Sequence, residues 1–153
     1  MRRAQCGSNI RAVKLPTEKL RTLKVRDFMA TNIVTFAPEM PISDAVGILV
    51  RNKYSGAPVV DGMGRLVGML SEKDCLRVAV LGNVDTATEA LVGDHMTRKV
   101  ETVEPDTDLL DVAEGFMQAA FKRFPVVEGE RLVGQISRID VLRAIDQLLR
   151  GAR

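Results

Sequence analysis

The sequence holds few of the residues from which catalytic and metal sites are usually built. It has one histidine, two cysteines, one tyrosine and no tryptophan. A lone His95 leaves no histidine cluster and no Cys/His nucleophile pair. Cys6 and Cys75 lie too far apart for a C-x-x-C motif, which argues against zinc and against a disulfide framework and predicts a reducing compartment. Cys75, set beside Leu76 and Val78, reads as a small buried hydrophobe. No Gly-x-x-x-x-Gly-Lys loop and no Gly-x-Gly-x-x-Gly turn is present. Apolar runs never reach membrane-spanning length, and the basic N-terminus lacks the apolar core of a secretory signal. These absences predict a soluble, cytoplasmic chain with no metal, no membrane contact and no catalytic residues, hence not an enzyme. An organellar transit peptide stays open because no acid precedes Glu18, although the segment is poor in serine.

Composition is otherwise that of a folded protein: 46% hydrophobic and 27% charged residues in a chain of 153. That length suits one compact domain or two small halves. The net charge of +2 hides a division. Residues 1–26 carry eight Lys/Arg against Glu18 alone, whereas the remainder carries 14 basic and 19 acidic residues. A basic arm can bind nucleic acid. With no aromatic residue before Phe28 to stack on bases, a solvated tail or one paired with the acidic body is the favoured reading, and a nucleic-acid partner is not expected.

The chain repeats itself. A shift of 67 positions lays Val25-Arg-Asp27-Phe-Met29 on Val92-Gly-Asp94-His-Met96, Thr35 on Thr102, Pro38 on Pro105, Asp44 on Asp111 and Pro58-Val59-Val60 on Pro125-Val126-Val127. One residue then drops out of a turn. With the shift at 66, Leu66-Val67-Gly68 meets Leu132-Val133-Gly134, Ser71 meets Ser137, Asp74 meets Asp140 and Leu76-Arg77 meets Leu142-Arg143. So many ordered matches, with the one gap in a turn, mark a duplication.

Each copy reads as β-α-β-β-α. A β-prone run (Ile33–Thr35, then Val100–Val103) ends near a proline. A helix follows, with Ile42, Ala45, Val46 and Leu49 on one face in the first copy and Leu109, Val112, Ala113 and Phe116 in the second. A strand such as Ala57–Val60, an Asp-Gly turn and a strand over Arg65–Leu70 form a hairpin. A closing helix starts at Ser71 or Ser137, and in the second copy it carries Ile139, Leu142, Ile145 and Leu149 at helical spacing. One copy alone is too small to bury both faces of its sheet. The expected fold is therefore α/β (α+β), two repeats packed sheet-to-sheet about a pseudo-twofold axis. Its divisions are a basic arm with a possible short helix over 1–24, repeats over 25–81 and 92–149, a linker over 82–91 and a tail over 150–153.

Val-x-Asp-x-Met, then Thr-x-x-Pro, Pro-Val-Val and Leu-Val-Gly-x-x-Ser-x-x-Asp, all present twice, resemble the CBS motif. The pair resembles a Bateman module of the stand-alone two-CBS type over about residues 25–149. That resemblance implies a non-catalytic regulatory module binding an adenosine-type nucleotide between the repeats: AMP first, with ADP, ATP, NAD or S-adenosylmethionine sharing the same elements. It also implies a homodimer packed through the helices, and an effector protein that the sequence does not identify.

The candidate site centres on Gly68-Met-Leu-Ser71-Glu-Lys-Asp74 and Gly134-Gln-Ile-Ser137-Arg-Ile-Asp140. A serine opening a helix presents free N–H groups and the positive dipole end to a phosphate, and the acid three residues on can accept from ribose hydroxyls. The same Ser-x-x-Asp spacing is also a capping-box variant that needs no ligand. By the resemblance, Thr35 and Thr102 at strand ends, and the segments Tyr54-Ser55-Gly56-Ala57-Pro58 and Phe121-Lys122-Arg123-Phe124-Pro125, contact the adenine; Thr is otherwise simply a good β-former. Lys122, Arg123 and Arg138 could surround a phosphate, whereas Glu72 stands where Arg138 does and would repel one. The Asp140 half is therefore expected to bind an anionic nucleotide better than the Asp74 half. The alternative function is a structural homodimerisation module with no bound ligand, its interface drawn in part from the apolar run Cys75–Leu81.

Overall fold

The computed structural model describes residues 17–82 and 89–151. Most of the expected arm (1–16), the core of the linker (83–88) and the last two residues of the tail lie outside that description. The chain runs α1 (Thr17–Thr22), a 3-10 turn (Val25–Asp27), α2 (Ile42–Asn52), β1 (Gly56–Val60), β2 (Leu66–Ser71) and α3 (Glu72–Leu81). It continues through α4 (Val92–His95), α5 (Leu109–Gln118), β3 (Arg123–Glu128), β4 (Arg131–Ser137) and α6 (Arg138–Gly151). The hairpins β1–β2 and β3–β4 are antiparallel and slip register at equivalent places, between Val59 and Val60 and between Val126 and Val127. Two β-α-β-β-α repeats thus make one mixed α/β fold, as the sequence implied.

The first strand of each repeat is shorter than its β-prone run. Only Phe36 and Val103 make a bridge, parallel to Val59 and Val126. Phe36 N–H donates to the Pro58 carbonyl at 2.9 Å, and Val60 N–H donates to the Phe36 carbonyl at 2.9 Å. Extending this parallel ladder needs an N–H on residue 58 in one direction and on residue 38 in the other. Both are proline, and Pro125 and Pro105 bound the second copy identically. The prolines that mark the motif are thus what confine each pairing to a single bridge.

The sequence repeats and the packing units are not the same. Val92 and Met96, from the start of the second repeat, are buried in a cluster with Phe36, Ile42, Leu49, Val59 and Leu70. Leu20 and Val25, from the end of the arm and the start of the first repeat, are buried with Leu109, Phe116, Phe124 and Ile136. The entry segments have been exchanged. Main-chain bonds hold the exchange: Val92 N–H reaches Met40 O at 2.8 Å and Val25 N–H reaches Thr107 O at 3.0 Å. Each fully buried Val, Leu or Ile contributes about 1.5–3 kcal/mol, so every half draws part of its core from the other half's chain. The hairpins also meet edge to edge, with Leu66 N–H on Glu130 O and Leu132 N–H on Gly64 O.

The helix faces depart from the periodicity at three positions. In α2 the buried residues are Ile42, Ala45 and Leu49, while Val46 is partly exposed. In α6 the buried positions are Asp140, Val141 and Ala144, and Ile139 and Leu142 point outward. The stripe through Ile139 and Leu142 loses because the helix is rotated to bring Asp140 inward.

Two candidate clefts between the repeats

Each helix that follows a hairpin begins with a serine whose N–H and hydroxyl donate to the aspartate three residues on. Ser71 N–H and Oγ–H both donate to Asp74 Oδ2 at 2.9 Å, and Asp74 N–H donates back to Ser71 Oγ at 3.2 Å. This is a complete capping box, so the ligand-independent role of the motif is realised in the fold. At α6, Ser137 N–H and Oγ–H donate to Asp140 Oδ2 at 2.8 and 2.9 Å. Both carboxylates are 7% exposed, yet each lines a cavity. The cap occupies Oδ2 and leaves Oδ1 for another partner. Arg143 Nη2 contacts Asp140 Oδ1 at 2.7 Å, whereas Arg77 stands 3.7 Å from Asp74 Oδ1.

The exchange of entry segments decides what faces each acid. Ala30 pairs with Gln135 of β4 through two main-chain bonds of 2.8 and 2.9 Å, and Thr97 pairs with Met69 of β2 in the same way. These approaches explain the glycine of Leu-Val-Gly. A Cβ on Gly134 would sit 2.8 Å from the Ala30 carbonyl, and one on Gly68 would sit 2.9 Å from the Thr97 carbonyl.

The cavity at Asp140 is about 200 Å³ and is lined from the first repeat by Ala30, Asn32, Ile33, Val34, Tyr54 and Gly56, with Arg123, Gln135, Ser137 and Asp140 from the second. The cavity at Asp74 is about 140 Å³ and reverses the arrangement. Thr97, Lys99, Val100, Glu101, Phe121, Arg123 and Pro125 of the second repeat face Met69, Ser71 and Asp74 of the first.

The sequence candidates fall into four groups. Gly56, Arg123, Ser137 and Asp140 come together in one cleft, and Ser71, Asp74, Arg123 and Pro125 in the other. Ala57, Pro58 and Phe124 are packed in the cores; Phe124 stacks on Phe116 with ring centroids 4.5 Å apart. Ser55 and Lys122 act through their carbonyls, which accept from the first N–H of α3 and of α6 at 2.8 and 3.3 Å. Thr102 lines a separate cavity beside Arg65, Arg98 and Glu130, and Thr35 lines neither cleft.

The expected gathering of Lys122, Arg123 and Arg138 about Asp140 is not what the chain builds. The Arg138 guanidinium turns to the carbonyls of Phe116 and Ala119, at 3.5 and 3.3 Å, and finishes the end of α5. Its counterpart α2 ends instead on Lys53 in the left-handed conformation, φ 55°. Glu72, expected to repel a phosphate, lines the groove between α2 and α3. Reasoning within one repeat missed residues 30–34 and 97–101 because their partners lie in the other copy. The signal for them was the repeated Val-x-Asp-x-Met segment, whose place ahead of the short strand lets it cross over.

A profile of the CBS domain matches residues 25–81 and again residues 92–147. The chain belongs to the CBS-domain family. An uncharacterized protein of Methanocaldococcus jannaschii, MJ1225, is 31% identical to this CBS pair over 121 residues, or 79% of this chain; the match spans 42% of that protein's length. The crystal structure of CBSX2 from Arabidopsis thaliana, described in complex with AMP, is 33% identical with a TM-score of 0.74, covering 83% of this chain and 98% of that one. The CBS domain pair of protein MJ0100, in complex with 5'-methylthioadenosine and S-adenosyl-L-methionine, is 25% identical with a TM-score of 0.66, covering 86% and 98%.

Among the described residues, no group of His, Cys, Asp and Glu has the arrangement of a metal site, and no helix is long and apolar enough to cross a membrane.

Proposed function

We propose that this CBS pair is a non-catalytic regulatory sensor that binds an adenosine-type nucleotide in the clefts between its repeats. The observation that carries the reading is the pair of buried carboxylates. Each is held by a serine at a helix start and faces a wall of apolar side chains from the other repeat; its second oxygen lies outside the cap, shared with Arg143 at Asp140. A ribose needs such an acceptor and an adenine needs such a wall; Tyr54 with Ile33, and Phe121 with Val100, supply the wall. CBSX2 with AMP, and MJ0100 with S-adenosyl-L-methionine, support adenosine as the shared chemistry. AMP is the first choice, and ADP, ATP, NAD and S-adenosylmethionine carry the same base and sugar.

The test is a melting curve with each of these compounds. A ligand at a hundredfold above its dissociation constant adds about 2.7 kcal/mol. For a chain of this length that raises Tm by about 5–10 °C. No shift with any compound overturns the reading.

A second reading, a homodimer built through the helices, is favoured by one observation. The same positions are exposed and apolar in both repeats: Val50 with Met117 at 70% and 86%, and Leu76 with Leu142 at 63% and 56%. Val80 and Leu81 extend the first of these faces. Burying such side chains against a second copy contributes about 25 cal/mol per Å². Sedimentation velocity is expected to give a dimer that Leu76→Glu with Leu142→Glu converts to a monomer; a wild-type monomer at micromolar concentration overturns it. A dimer with no melting response would leave the chain a structural module, its output an effector that docks on the assembled pair.

A further inference from the structure

The two clefts share a cationic lining residue. Arg123 is, among the described residues, the only cation that lines both. It opens β3 opposite Ser137, at the position where the first repeat has Gly56, so the duplication supplies no second copy of it. Its guanidinium lies 5.5 Å from the centre of the Tyr54 ring, a wall of the Asp140 cleft. In that cleft it is the only lining cation, whereas the Asp74 cleft also has Lys99, offset by Glu101.

We propose that Arg123 sets the clefts against each other: a phosphate-bearing nucleotide bound in one weakens the binding of a phosphate-bearing nucleotide in the other. This rests on nucleotides occupying these clefts. One guanidinium carries one charge and one fork for bidentate contact with phosphate. If the fork turns fully to one cleft, the other loses its shared cation. The cleft filled second therefore binds its phosphate without the fork. The Tyr54 contact, worth a factor of about 2 to 5 where solvent reaches it, gives the Asp140 cleft first claim. The Asp74 cleft then holds its phosphate on Lys99 alone. Coupling of this kind is reciprocal and is typically about 5-fold or more.

The test is calorimetric titration of the full chain with AMP and, separately, with adenosine, which has no phosphate. Asp74→Ala and Asp140→Ala each leave one cleft intact and give its affinity alone. In the wild type, the product of the two stepwise AMP affinity constants is expected to fall about 5-fold or more below the product of these single-cleft constants. Adenosine is expected to show no such deficit, and Arg123→Gln is expected to abolish it for AMP. A wild type without the deficit, or an Arg123→Gln chain that keeps it, overturns the coupling. If the aspartate variants do not fold, the ratio of first to second stepwise constant replaces the product. That ratio is expected to be larger for AMP than for adenosine in the wild type, and the excess is expected to shrink in Arg123→Gln; a wild type with equal ratios, or an Arg123→Gln chain with an undiminished excess, overturns the coupling. Two AMP molecules bound without a deficit leave the nucleotide reading standing and remove only the coupling, whereas no binding of AMP or adenosine removes both.

Discussion

The Asp140 and Asp74 clefts share a backbone and differ in what they show a ligand. Both have a glycine that lets the other repeat's chain approach, a serine with two hydrogen bonds to a buried carboxylate, and a cross-repeat pair of main-chain bonds. Around that frame, Asn32 is replaced by Lys99, Val34 by Glu101, Tyr54 by Phe121, Gly56 by Arg123 and Gln135 by Met69. After duplication, the parts that close the fold stayed alike while the parts that face the cavity diverged. Charge does not rank the clefts, since the lining of each sums to zero: Arg123 offsets Asp140 in one, and Arg123 with Lys99 offsets Asp74 with Glu101 in the other. The expected advantage of the Asp140 half rested on Lys122, Arg123 and Arg138 against Glu72; Lys122, Arg138 and Glu72 line neither cleft, and Arg123 lines both.

The largest expected effect comes from breaking the shared frame. Gly134→Ala and Gly68→Ala each place a methyl group under 3.0 Å from a main-chain carbonyl and from a methionine side chain. Overpacking of this kind costs about 1–3 kcal/mol, equivalent to a Tm loss of about 3–10 °C. Gly62→Ala, where an added Cβ meets nothing within 4 Å, is the control and is expected to change Tm little. Each variant should damage its own cleft: Gly134→Ala the Asp140 cleft and Gly68→Ala the Asp74 cleft. A Gly68→Ala chain as stable as Gly62→Ala would show that the repeats can separate there without cost.

Next in size are the two acids. Asp74→Ala and Asp140→Ala each lose the two hydrogen bonds donated by the serine at the helix start, about 1 kcal/mol by thermal unfolding. Asp140→Ala is expected to lose a further increment, because it alone has a partner at 2.7 Å; Arg143 is 55% exposed, so that increment is held to about 0.2–1 kcal/mol. In nucleotide titration each variant should weaken its own cleft about tenfold or more, the effect of removing a charged acceptor from hydroxyl donors. Equal melting of the two variants would mean that the Arg143 contact contributes nothing.

Much of this architecture was legible in one sequence because a duplication is its own comparison. The repeat fixed the order of the elements, the hairpins and the two Ser-x-x-Asp devices without any structure. It could not show that Val25 and Val92 cross into each other's cores, since a buried valine reads the same whichever core receives it. Nor could it place Arg138, because a guanidinium beside a serine suits a phosphate and a helix end equally well. The rotation of α6 was hidden for a related reason. Ile139 and Leu142 are as apolar as Val141 and Ala144, and only the demand that Asp140 face inward chooses between the stripes.

Arg138→Ala sharpens the comparison with a smaller effect. Among the described residues its guanidinium contacts carbonyls at the end of α5, at long range, so its loss is expected to lower Tm by about 1–3 °C. AMP affinity should stay within about twofold of wild type; a tenfold loss would return Arg138 to the phosphate site. Glu72→Ala, at the equivalent position, is expected to leave both quantities unchanged.

The smallest effect distinguishes the clefts from inside. Cys75 is buried directly behind Asp74, where the second repeat has Val141. Burial pushes its thiol above the ordinary range, and the negative charges of Asp74 and Glu72 push it further. Thiolate is the reactive form, so in a Cys6→Ser background Cys75 should label slowly at pH 8 and react fast only on unfolding. Asp74→Asn removes one of the charges that raise the thiol, and labelling should quicken by a small factor, since desolvation is the larger cause. Asp140→Asn disturbs an equivalent cap without touching that charge, and its rate should match the parent. Equal acceleration by both variants would trace the change to loosened caps rather than to electrostatics, and the clefts would then differ only in the side chains that face the ligand.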